Sequence, residues 1–242
     1  MTDHRDDAVP NTPLNDGVLL AGDEKAAAVR GMFDRIAPKY DRVNRIMSFR
    51  LDVRWRRIAV RRMNLPEGSV VLDLASGTGD LCEDLRDVGI HPVGVDFSMG
   101  MMQARRTDAQ MVQADVLRLP MPDASVDGMI CGFAMRNFVD LPAFFGELGR
   151  VTRPGGRIAV VDASEPENRF ARVGHGFYFG KVVPFVGGLL SDKSAYSYLP
   201  ASLAYLPPTP ELMEIVRAAG FADAQRDELT LGAAQLITGT RD

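Results

Sequence analysis

Short runs of apolar residues alternate with helix-like segments through the middle of the chain. The first run, SVVLDLA, is too uniformly apolar for a strand with one solvent-exposed face, which is typical of a buried strand in a parallel sheet. The predicted strands, in order, are SVVLDLA, HPVGVDF, AQMVQAD, VDGMICGFA and RIAVVDAS, followed near the end of the chain by ADAQRDELTL and AAQLITGTR. Strands and helices that alternate with short connections predict an α/β fold with a doubly wound, mostly parallel sheet.

The segments on either side of this alternation have a different character. Residues 1–22 are rich in Asp, Asn, Pro and Gly, and we interpret them as a mobile tail. Residues 23–65 carry helical spacing that Pro38 interrupts, which predicts a helical cap. Residues 165–208 are apolar and rich in Gly, Pro and Tyr, which predicts an insertion that covers the substrate after the fifth strand. We therefore expect a single domain over residues 23–242.

Composition and charge narrow the class of protein. The chain has 242 residues, of which 46% are hydrophobic and 25% charged, as is usual for globular proteins. The net charge of −4 argues against nucleic acid as a partner. Two cysteines, Cys82 and Cys131, with no secretion signal at the start, predict a cytoplasmic protein with reduced thiols. Since no CxxC or HxxxH spacing occurs, the sequence predicts no metal site.

A glycine-containing turn follows the first predicted strand, in the sequence LDLASGTGDL. Gly77 and Gly79 stand where the strand meets the next helix, so a ligand can approach the bare backbone there. The GxGxxG pattern of dinucleotide sites lacks its third glycine, because Cys82 occupies that position. A nicotinamide-dependent oxidoreductase is therefore disfavoured.

Three aspartates mark the ends of successive strands. Asp73 ends the first strand, Asp96 the second and Asp115 the third. An acid at the position of Asp96 commonly holds ribose hydroxyls, and one at Asp115 can bond an adenine amino group. No P-loop lysine follows the glycines, so a nucleoside without phosphates fits better than a nucleotide. S-adenosylmethionine, whose sulfonium and ammonium are positive, is such a ligand. The alternative is that these aspartates are only helix caps and turn residues.

Roughly residues 24–240 resemble the ubiquinone/menaquinone biosynthesis C-methyltransferases. The segment YDRVNRIMSFRLDVRW is similar to the N-terminal signature of that family, LDLASGTGDL to its cofactor loop, and RVTRPGGRIAVVDAS to its second signature. The stretch AYSYLPASLAYLPP is similar to a Tyr-x-Tyr-Leu stretch before the last helix of the family. The resemblance implies a Rossmann-like, seven-stranded class I methyltransferase fold, with S-adenosylmethionine as the cofactor.

The resemblance also implies which residues form the site. On the acceptor side it points to Arg136 and Asn137 after the fourth strand, Tyr40 from the cap and Tyr198 from the insertion. An arginine there would stabilise a phenolate, or help to remove its proton through an ordered water. The alternatives are that Arg136 pairs with an acid on the covering helices and that the tyrosines pack in the core. The cofactor-binding residues are taken to be Asp73, Ala75, Gly77, Thr78, Gly79, Asp96, Phe97, Asp115, Val116 and Gly132.

The predicted reaction is C-methylation of a prenylated quinol, demethylmenaquinol to menaquinol, by an S-adenosylmethionine-dependent enzyme of class EC 2.1.1. Another phenolic or lipid acceptor, or a non-catalytic protein that binds S-adenosylmethionine, are the alternatives. Eight arginines between Arg42 and Arg62 suit peripheral contact with the anionic inner membrane surface, with a solvated charged face as the alternative. A homodimer is a further expectation.

Overall fold

A seven-stranded sheet forms the centre of the computed structural model, which describes residues 14–15, 18–168, 172–174, 176, 178, 198 and 201–242. The strands are β1 (Val70–Leu74), β2 (His91–Asp96), β3 (Gln110–Gln113), β4 (Val126–Gly132), β5 (Thr152–Ala163), β6 (Gln225–Leu229) and β7 (Ala234–Thr240). They lie in the order β3-β2-β1-β4-β5-β7-β6. Strands β1 to β5 pair in parallel, and β7 is antiparallel to β5 and β6. The predicted α/β fold with a mostly parallel sheet is confirmed.

Helices cover both faces of the sheet. They are α1 (Gly22–Ile36), α2 (Tyr40–Met47), α3 (Leu51–Met63), α4 (Asp80–Arg86), α5 (Met99–Gln103), α6 (Leu141–Val151) and α7 (Thr209–Ala218). On one face, α3 buries Met63 in a cluster with Val71 and Ile130. Their strand neighbours Leu72 and Met129 point to the other face, since successive side chains of a strand alternate. There they pack in a cluster to which α6 and α7 contribute.

The segment predicted as a helical cap divides between two layers. Helix α3 packs on the sheet, whereas α1 and α2 form a separate apolar cluster that includes Met32, Ile36, Val43, Met47 and Met101. The break predicted at Pro38 is a 3₁₀ turn, Ala37–Lys39, which joins α1 to α2. Proline suits this place because it lacks the backbone N–H that a continuing helix would need.

The fifth strand begins earlier than predicted. The segment DLPAFFGELGRVTR, which ends at Arg153, has helical spacing and predicts a helix, and RIAVVDAS predicts a strand from Arg157. In the structure α6 ends at Val151 and β5 begins at Thr152. The Pro-Gly-Gly sequence lies inside the strand as an irregularity of its register against β4. Gly155 adopts a φ of +77°, and a Cβ at Gly156 would lie 2.7 Å from the carbonyl oxygen of Asp127. The glycines therefore allow an irregular strand rather than only ending a helix.

Two predicted segments lie largely outside the described residues. Of the predicted tail 1–22, the structure describes a short antiparallel pair, Leu14–Asn15 with Val18–Leu19, and residues 20–22. Of the predicted insertion 165–208, most of 169–200 lies outside them. Among the helices that the structure describes, none is both long and apolar enough to cross a bilayer.

Candidate active site

A cavity of about 720 Å³ lies at the carboxyl edge of the sheet, beneath α1 and α2. It brings together twelve of the fourteen residues predicted for the site. These are Tyr40, Asp73, Ala75, Gly77, Thr78, Asp96, Phe97, Asp115, Val116, Gly132, Arg136 and Asn137. The other two, Gly79 and Tyr198, are not among the residues that line the cavity.

Gly77 forms the part of the glycine turn that faces the cavity. Its φ is +58°, and a Cβ at this position would meet nothing within 4 Å. The backbone here is therefore bare towards open space, as close approach of a ligand requires. Ala75, one turn earlier, also has a positive φ, of +52°. Such strain in a non-glycine residue is typical of functional sites.

Gly79 has a different role from Gly77. Its φ is +89°, and a Cβ there would lie only 2.2 Å from Cγ2 of Thr107. Its N–H donates to the carbonyl of Ser76 at 2.9 Å and so closes the turn before α4. The geometry of the turn and the approach of Thr107 thus explain this glycine, and no sequence pattern indicated Thr107 as its neighbour.

The Asp96 carboxylate is tied to the same turn. One oxygen accepts a hydrogen bond from the N–H of Gly77 at 2.7 Å, and the other accepts from the N–H of Ser98 at 2.7 Å. Burial raises the pKa of this carboxyl, and the two N–H donors oppose the rise. Since each oxygen has a second lone pair, the carboxylate can still accept hydrogen bonds from a ligand in the cavity.

Asp73 is the carboxylate least satisfied by the protein. The side chain is fully buried, and the thiol of Cys82 lies 3.3 Å from Oδ2, to which it donates. Among the residues that the structure describes, Oδ1 has no hydrogen-bond partner, although Asp73 lines the cavity. Burial raises its pKa to about 7. A buried, unpaired acid beside an open cavity is the environment that a cationic ligand would complete, so the site fits S-adenosylmethionine.

A second group of carboxylates nearby is already neutralised. The buried Arg56 guanidinium lies 2.9 Å from Asp52, 2.9 Å from Asp80 and 3.2 Å from Asp84. Asp52 lies on α3 itself, whereas the pairs with Asp80 and Asp84 connect α3 to α4. Arg45 also lies 2.9 Å from Asp80, and Arg57 lies 3.3 Å from Asp84, so three arginines face the three acids. Because these charges are matched within the protein, we assign the pairs to holding the helices together rather than to binding a cation.

Phe97 and Asp115 lie on the side of the cavity formed by β2 and β3. Arg30 of α1 stacks over the Phe97 ring, with its guanidinium carbon 4.7 Å from the ring centroid. Asp115 is exposed and accepts a hydrogen bond from the N–H of Leu117 at 2.9 Å. Asp115 therefore stabilises a turn, as the alternative interpretation of the three aspartates expects, and it also lines the cavity.

Arg136 lies in a 3₁₀ turn, Met135–Asn137, just after β4. Its guanidinium forms a buried ion pair with Asp162, near the end of β5, and its Nε donates to the hydroxyl of Ser202 at 3.1 Å. The partner acid is thus on the sheet and not on the covering helices, contrary to the alternative expectation. The pair fixes the position of the guanidinium at the cavity wall.

Tyr40 and Asn137 complete this wall. Burial raises the pKa of Tyr40 to about 12, although the nearby Arg136 acts in the opposite direction. The Asn137 amide oxygen accepts a hydrogen bond from the hydroxyl of Tyr198 at 3.0 Å. Tyr198 itself is fully buried, so it acts behind Asn137 rather than in the cavity.

Helix α1 is held across the cavity at both ends. Near its start, the Lys25 ammonium donates to the carbonyls of Arg136 at 3.2 Å and Phe138 at 2.9 Å, and lies 3.4 Å from the centroid of the Tyr205 ring. Near its end, Asp34 accepts from the hydroxyl of Ser98 at 2.5 Å and from the N–H of Gly100 at 2.9 Å. Lys25 is 2% exposed, and burial lowers its pKa to about 8.

Sequence reasoning missed Asp162 and Lys25. The signal for Asp162 was present, because it follows the apolar run of the fifth strand as Asp73 and Asp96 follow theirs. Lys25 gave no such signal, since a lysine in the first turns of an amphipathic helix normally faces solvent.

Replacing Asp96 with alanine is expected to weaken binding of S-adenosylmethionine by about 2–3 kcal/mol, or roughly 30- to 150-fold. The change removes the carboxylate expected to accept hydrogen bonds from the ribose hydroxyls and leaves the N–H of Gly77 without its acceptor. Isothermal titration calorimetry measures the dissociation constant. Asp108→Ala, which removes an exposed acid, is the matched control. An unchanged dissociation constant in a folded Asp96→Ala variant would contradict the role.

Comparison with known proteins agrees with this geometry. The model of the ubiE/COQ5 methyltransferase family matches residues 21–241. A demethylmenaquinone methyltransferase of Roseiflexus sp. (strain RS-1) is 40% identical over 93% of this chain and 98% of its own length. One from Thermus thermophilus is 40% identical over 87% of this chain and all of its own. The ubiquinone/menaquinone biosynthesis C-methyltransferase UbiE of Geobacter sulfurreducens is 37% identical over 90% of each chain.

Solved structures share the fold at low sequence identity. An S-adenosylmethionine-dependent methyltransferase from Thermotoga maritima superposes with a TM-score of 0.62 at 23% identity, over 87% of this chain and 98% of its own. Phosphoethanolamine N-methyltransferase 2 of Haemonchus contortus gives 0.63 at 14% identity, over 88% of this chain and 59% of its own. The match of the family model over almost the whole described sheet and its helices shows that the chain belongs to the ubiE/COQ5 methyltransferase family.

Proposed function

We propose that this methyltransferase transfers a methyl group from S-adenosylmethionine to a ring carbon of a prenylated quinol, converting demethylmenaquinol to menaquinol. The observation that carries the proposal is one continuous cavity whose walls are polar in two parts and apolar in the rest. The Asp73 carboxyl and the glycine turn form one polar part of the cavity wall, and Tyr40 and Arg136 form the other. Apolar side chains such as Phe49 and Leu231 line the remainder, where a prenyl chain would fit.

The cofactor side follows from charge. Asp73 would meet the positive part of the cofactor, Asp96 its ribose hydroxyls and Asp115 its adenine, with Gly77 leaving room at the turn. The cofactor, when bound, supplies a methyl group that its sulfonium makes electrophilic. The protein aligns donor and acceptor, and the buried walls exclude water.

The acceptor side requires stabilisation of a phenolate. A quinol ring carbon becomes nucleophilic as the neighbouring hydroxyl loses its proton, and negative charge then grows on that oxygen. Arg136 is a poor base because its guanidinium hardly deprotonates, but it can stabilise this charge. Tyr40, whose pKa is about 12, stays protonated at neutral pH and can donate a hydrogen bond to the same oxygen. Asn137, oriented by Tyr198, can do likewise.

The proposal is tested by incubating the full chain with methyl-labelled S-adenosylmethionine and a panel of acceptors. The panel contains demethylmenaquinol, a demethylated ubiquinol precursor and simple phenols. We expect label in menaquinol above all other products. Preference for a simple phenol would favour the alternative acceptor class. Cofactor binding without any transfer would favour a non-catalytic binding protein.

We further propose that residues 23–242 form a single methyltransferase domain, with α1 and α2 and the segment 165–208 covering the cavity. Support comes from the residues of α1 and α2 that line it, among them Val29, Phe33 and Asn44. Because the proposed acceptor is prenylated, we expect the enzyme to act at the cytoplasmic surface of the inner membrane. The homodimer remains a prediction, which mass measurement in solution checks.

Replacing Lys25 with methionine is expected to lower the free energy of unfolding by about 1–3 kcal/mol, because two buried carbonyls lose their donor. The turnover number should fall as well, since the turn that carries Arg136 is no longer held. Urea unfolding and steady-state kinetics measure the two effects. Lys39→Met, an exposed lysine of the same region, is the control. Equal stability and turnover in both variants would show that Lys25 does not position this turn.

A further inference from the structure

Two turns with unusual backbone conformation frame the mouth of the cavity. Between α2 and α3, Phe49 and Arg50 have φ values of +51° and +62°. Between β6 and β7, Thr230 and Leu231 have φ values of +50° and +57°. Bulky and β-branched residues rarely adopt this left-handed region, so each turn carries a conformational cost. Phe49, Thr230 and Leu231 all line the cavity.

These turns hold large apolar side chains in solvent. Leu231 is 82% exposed and Phe49 is 74% exposed, and both lie at the edge of the cavity. The turns are well anchored beneath. The Trp55 indole N–H donates to the hydroxyl of Thr230 at 2.9 Å, and the N–H of Arg50 donates to the carbonyl of Arg45 at 2.9 Å. These hydrogen bonds keep both side chains exposed. Exposed apolar side chains and strained turns both cost free energy, and neither is needed for the chain to fold in water.

Three exposed arginines lie close to Phe49 in the chain, on α2, in the turn and on α3. Arg42, Arg50 and Arg54 are exposed, and none forms an ion pair with any residue that the structure describes. Ile46, one turn from Arg42 on α2, is 44% exposed. The acids closest in sequence to these arginines, Asp41 and Asp52, are buried and paired with Arg106 and Arg56. Near Leu231, Glu228 lies 3.6 Å from Arg226. The rim therefore combines apolar tips with a net positive charge.

We propose that this rim, formed by Arg42, Ile46, Phe49, Arg50, Arg54 and Leu231, docks on an anionic phospholipid surface with the cavity mouth facing the bilayer. Arginines suit the phosphate headgroups, and the apolar tips enter the boundary with the acyl chains. The inference rests on the proposed function, because a prenylated acceptor dissolved in the bilayer would then reach the cavity without crossing water.

A second copy of the chain fits the rim less well. A twofold interface places the same patch on both sides, so the unpaired arginines would face each other. Nucleic acid would satisfy the arginines but would leave the aliphatic Leu231 tip without an apolar partner. Charge and apolar character together therefore favour the lipid surface.

The test uses the full chain and vesicles of phosphatidylcholine with or without phosphatidylglycerol, separated by sedimentation. We expect binding only with phosphatidylglycerol and a decrease with added salt. Arg50→Gln with Arg54→Gln should lower the partition coefficient about 25-fold, since each arginine near such a surface contributes about fivefold. The matched control, Arg118→Gln with Arg217→Gln, removes the same charge from exposed positions elsewhere and should bind as the unaltered chain does.

A second variant tests the apolar tips. Phe49→Asn with Leu231→Asn places a residue that tolerates positive φ in both turns, so its thermal stability should be unchanged or higher. Its vesicle binding should fall at least tenfold. The proposal would be overturned if the chain bound equally well to vesicles with and without phosphatidylglycerol. It would also be overturned if the control arginine variant lost as much binding, or if the chain formed a dimer through this rim and did not bind vesicles. Methylation of a detergent-dissolved, short-chain acceptor by the Arg50→Gln, Arg54→Gln variant reports on the proposed function separately.

Discussion

Replacing Arg136 with alanine is expected to lower the turnover number of quinol methylation by about 10²–10³-fold, while the dissociation constant of S-adenosylmethionine changes little. Arg136 follows β4 and pairs with Asp162 on β5, whereas the glycine turn follows β1. We propose that the interaction of Arg136 with the acceptor strengthens as the quinol oxygen becomes negative. A contact that strengthens on the way to the transition state lowers the barrier. Single-turnover kinetics and calorimetry on the same preparation separate the two quantities.

Loss of Arg136 also leaves the buried Asp162 without its partner, which is expected to cost about 3–5 kcal/mol of folding stability. Low activity of the single variant could then reflect unfolding. The double variant Arg136→Met, Asp162→Asn removes both charges and should recover most of the stability without recovering turnover. Recovery of turnover in the double variant would reduce Arg136 to a structural ion-pair partner. Loss of cofactor binding in either variant would place Arg136 on the cofactor side instead.

Replacing Asp73 with asparagine is expected to change stability and cofactor binding in opposite directions. The carboxyl has a pKa of about 7 in the fold against 3.8 as the ordinary value, so its ionised form at pH 8 costs about 4 kcal/mol of folding free energy. The neutral amide avoids that cost, although its own unpaired polar group lowers the folding stability by about 1–3 kcal/mol. The melting temperature at pH 8 should therefore rise. Binding of the cationic cofactor should weaken by about 2 kcal/mol, or about thirtyfold.

The same carboxyl gives stability a defined pH dependence. Between about pH 4 and pH 7 the unfolded chain has lost this proton while the folded chain keeps it, so this contribution to the free energy of unfolding falls as pH rises. The slope should be smaller in Asp73→Asn, since Asp96, whose pKa burial also raises, still contributes, and it should be unchanged in the control Asp87→Asn, an exposed position. Binding of a cation favours the ionised form, so cofactor uptake at pH 6.5 should release protons to the buffer. A wild-type slope in Asp73→Asn would contradict the assignment to this residue.

The centre of the sheet was predictable from sequence because β1, β4 and the second half of β5 are largely apolar, and because acids mark the ends of several strands. The positions of Asp73 and Asp96 followed from that pattern, since carboxyl ends of parallel strands meet at one edge. The start of β5 was not predictable, because Gly155 and Gly156 fit a strand irregularity as well as a helix end. Strand-end patterns identify residues that lie at one edge of the sheet. They do not show which of these residues are already paired with a neighbouring side chain.

The partners of the site residues could not be predicted for the same reason. Thr107 explains Gly79, and it comes from a loop 28 residues further along the chain. Asp162 determines where Arg136 lies, although the two belong to different strand ends. Such contacts depend on how elements pack, which local periodicity does not encode.

The anchoring of α1 across the cavity bears on how quickly the enzyme can repeat its reaction. A ligand held between Asp96 and α1 leaves on that side only after Lys25 releases its two carbonyls or Asp34 releases Ser98 and Gly100. Opening and closing of such an element falls in the microsecond-to-millisecond range and often limits turnover more than the chemical step does. The demethylated cofactor would then have a long residence time, and methylated quinol would form in a rapid first round followed by slower steady cycling.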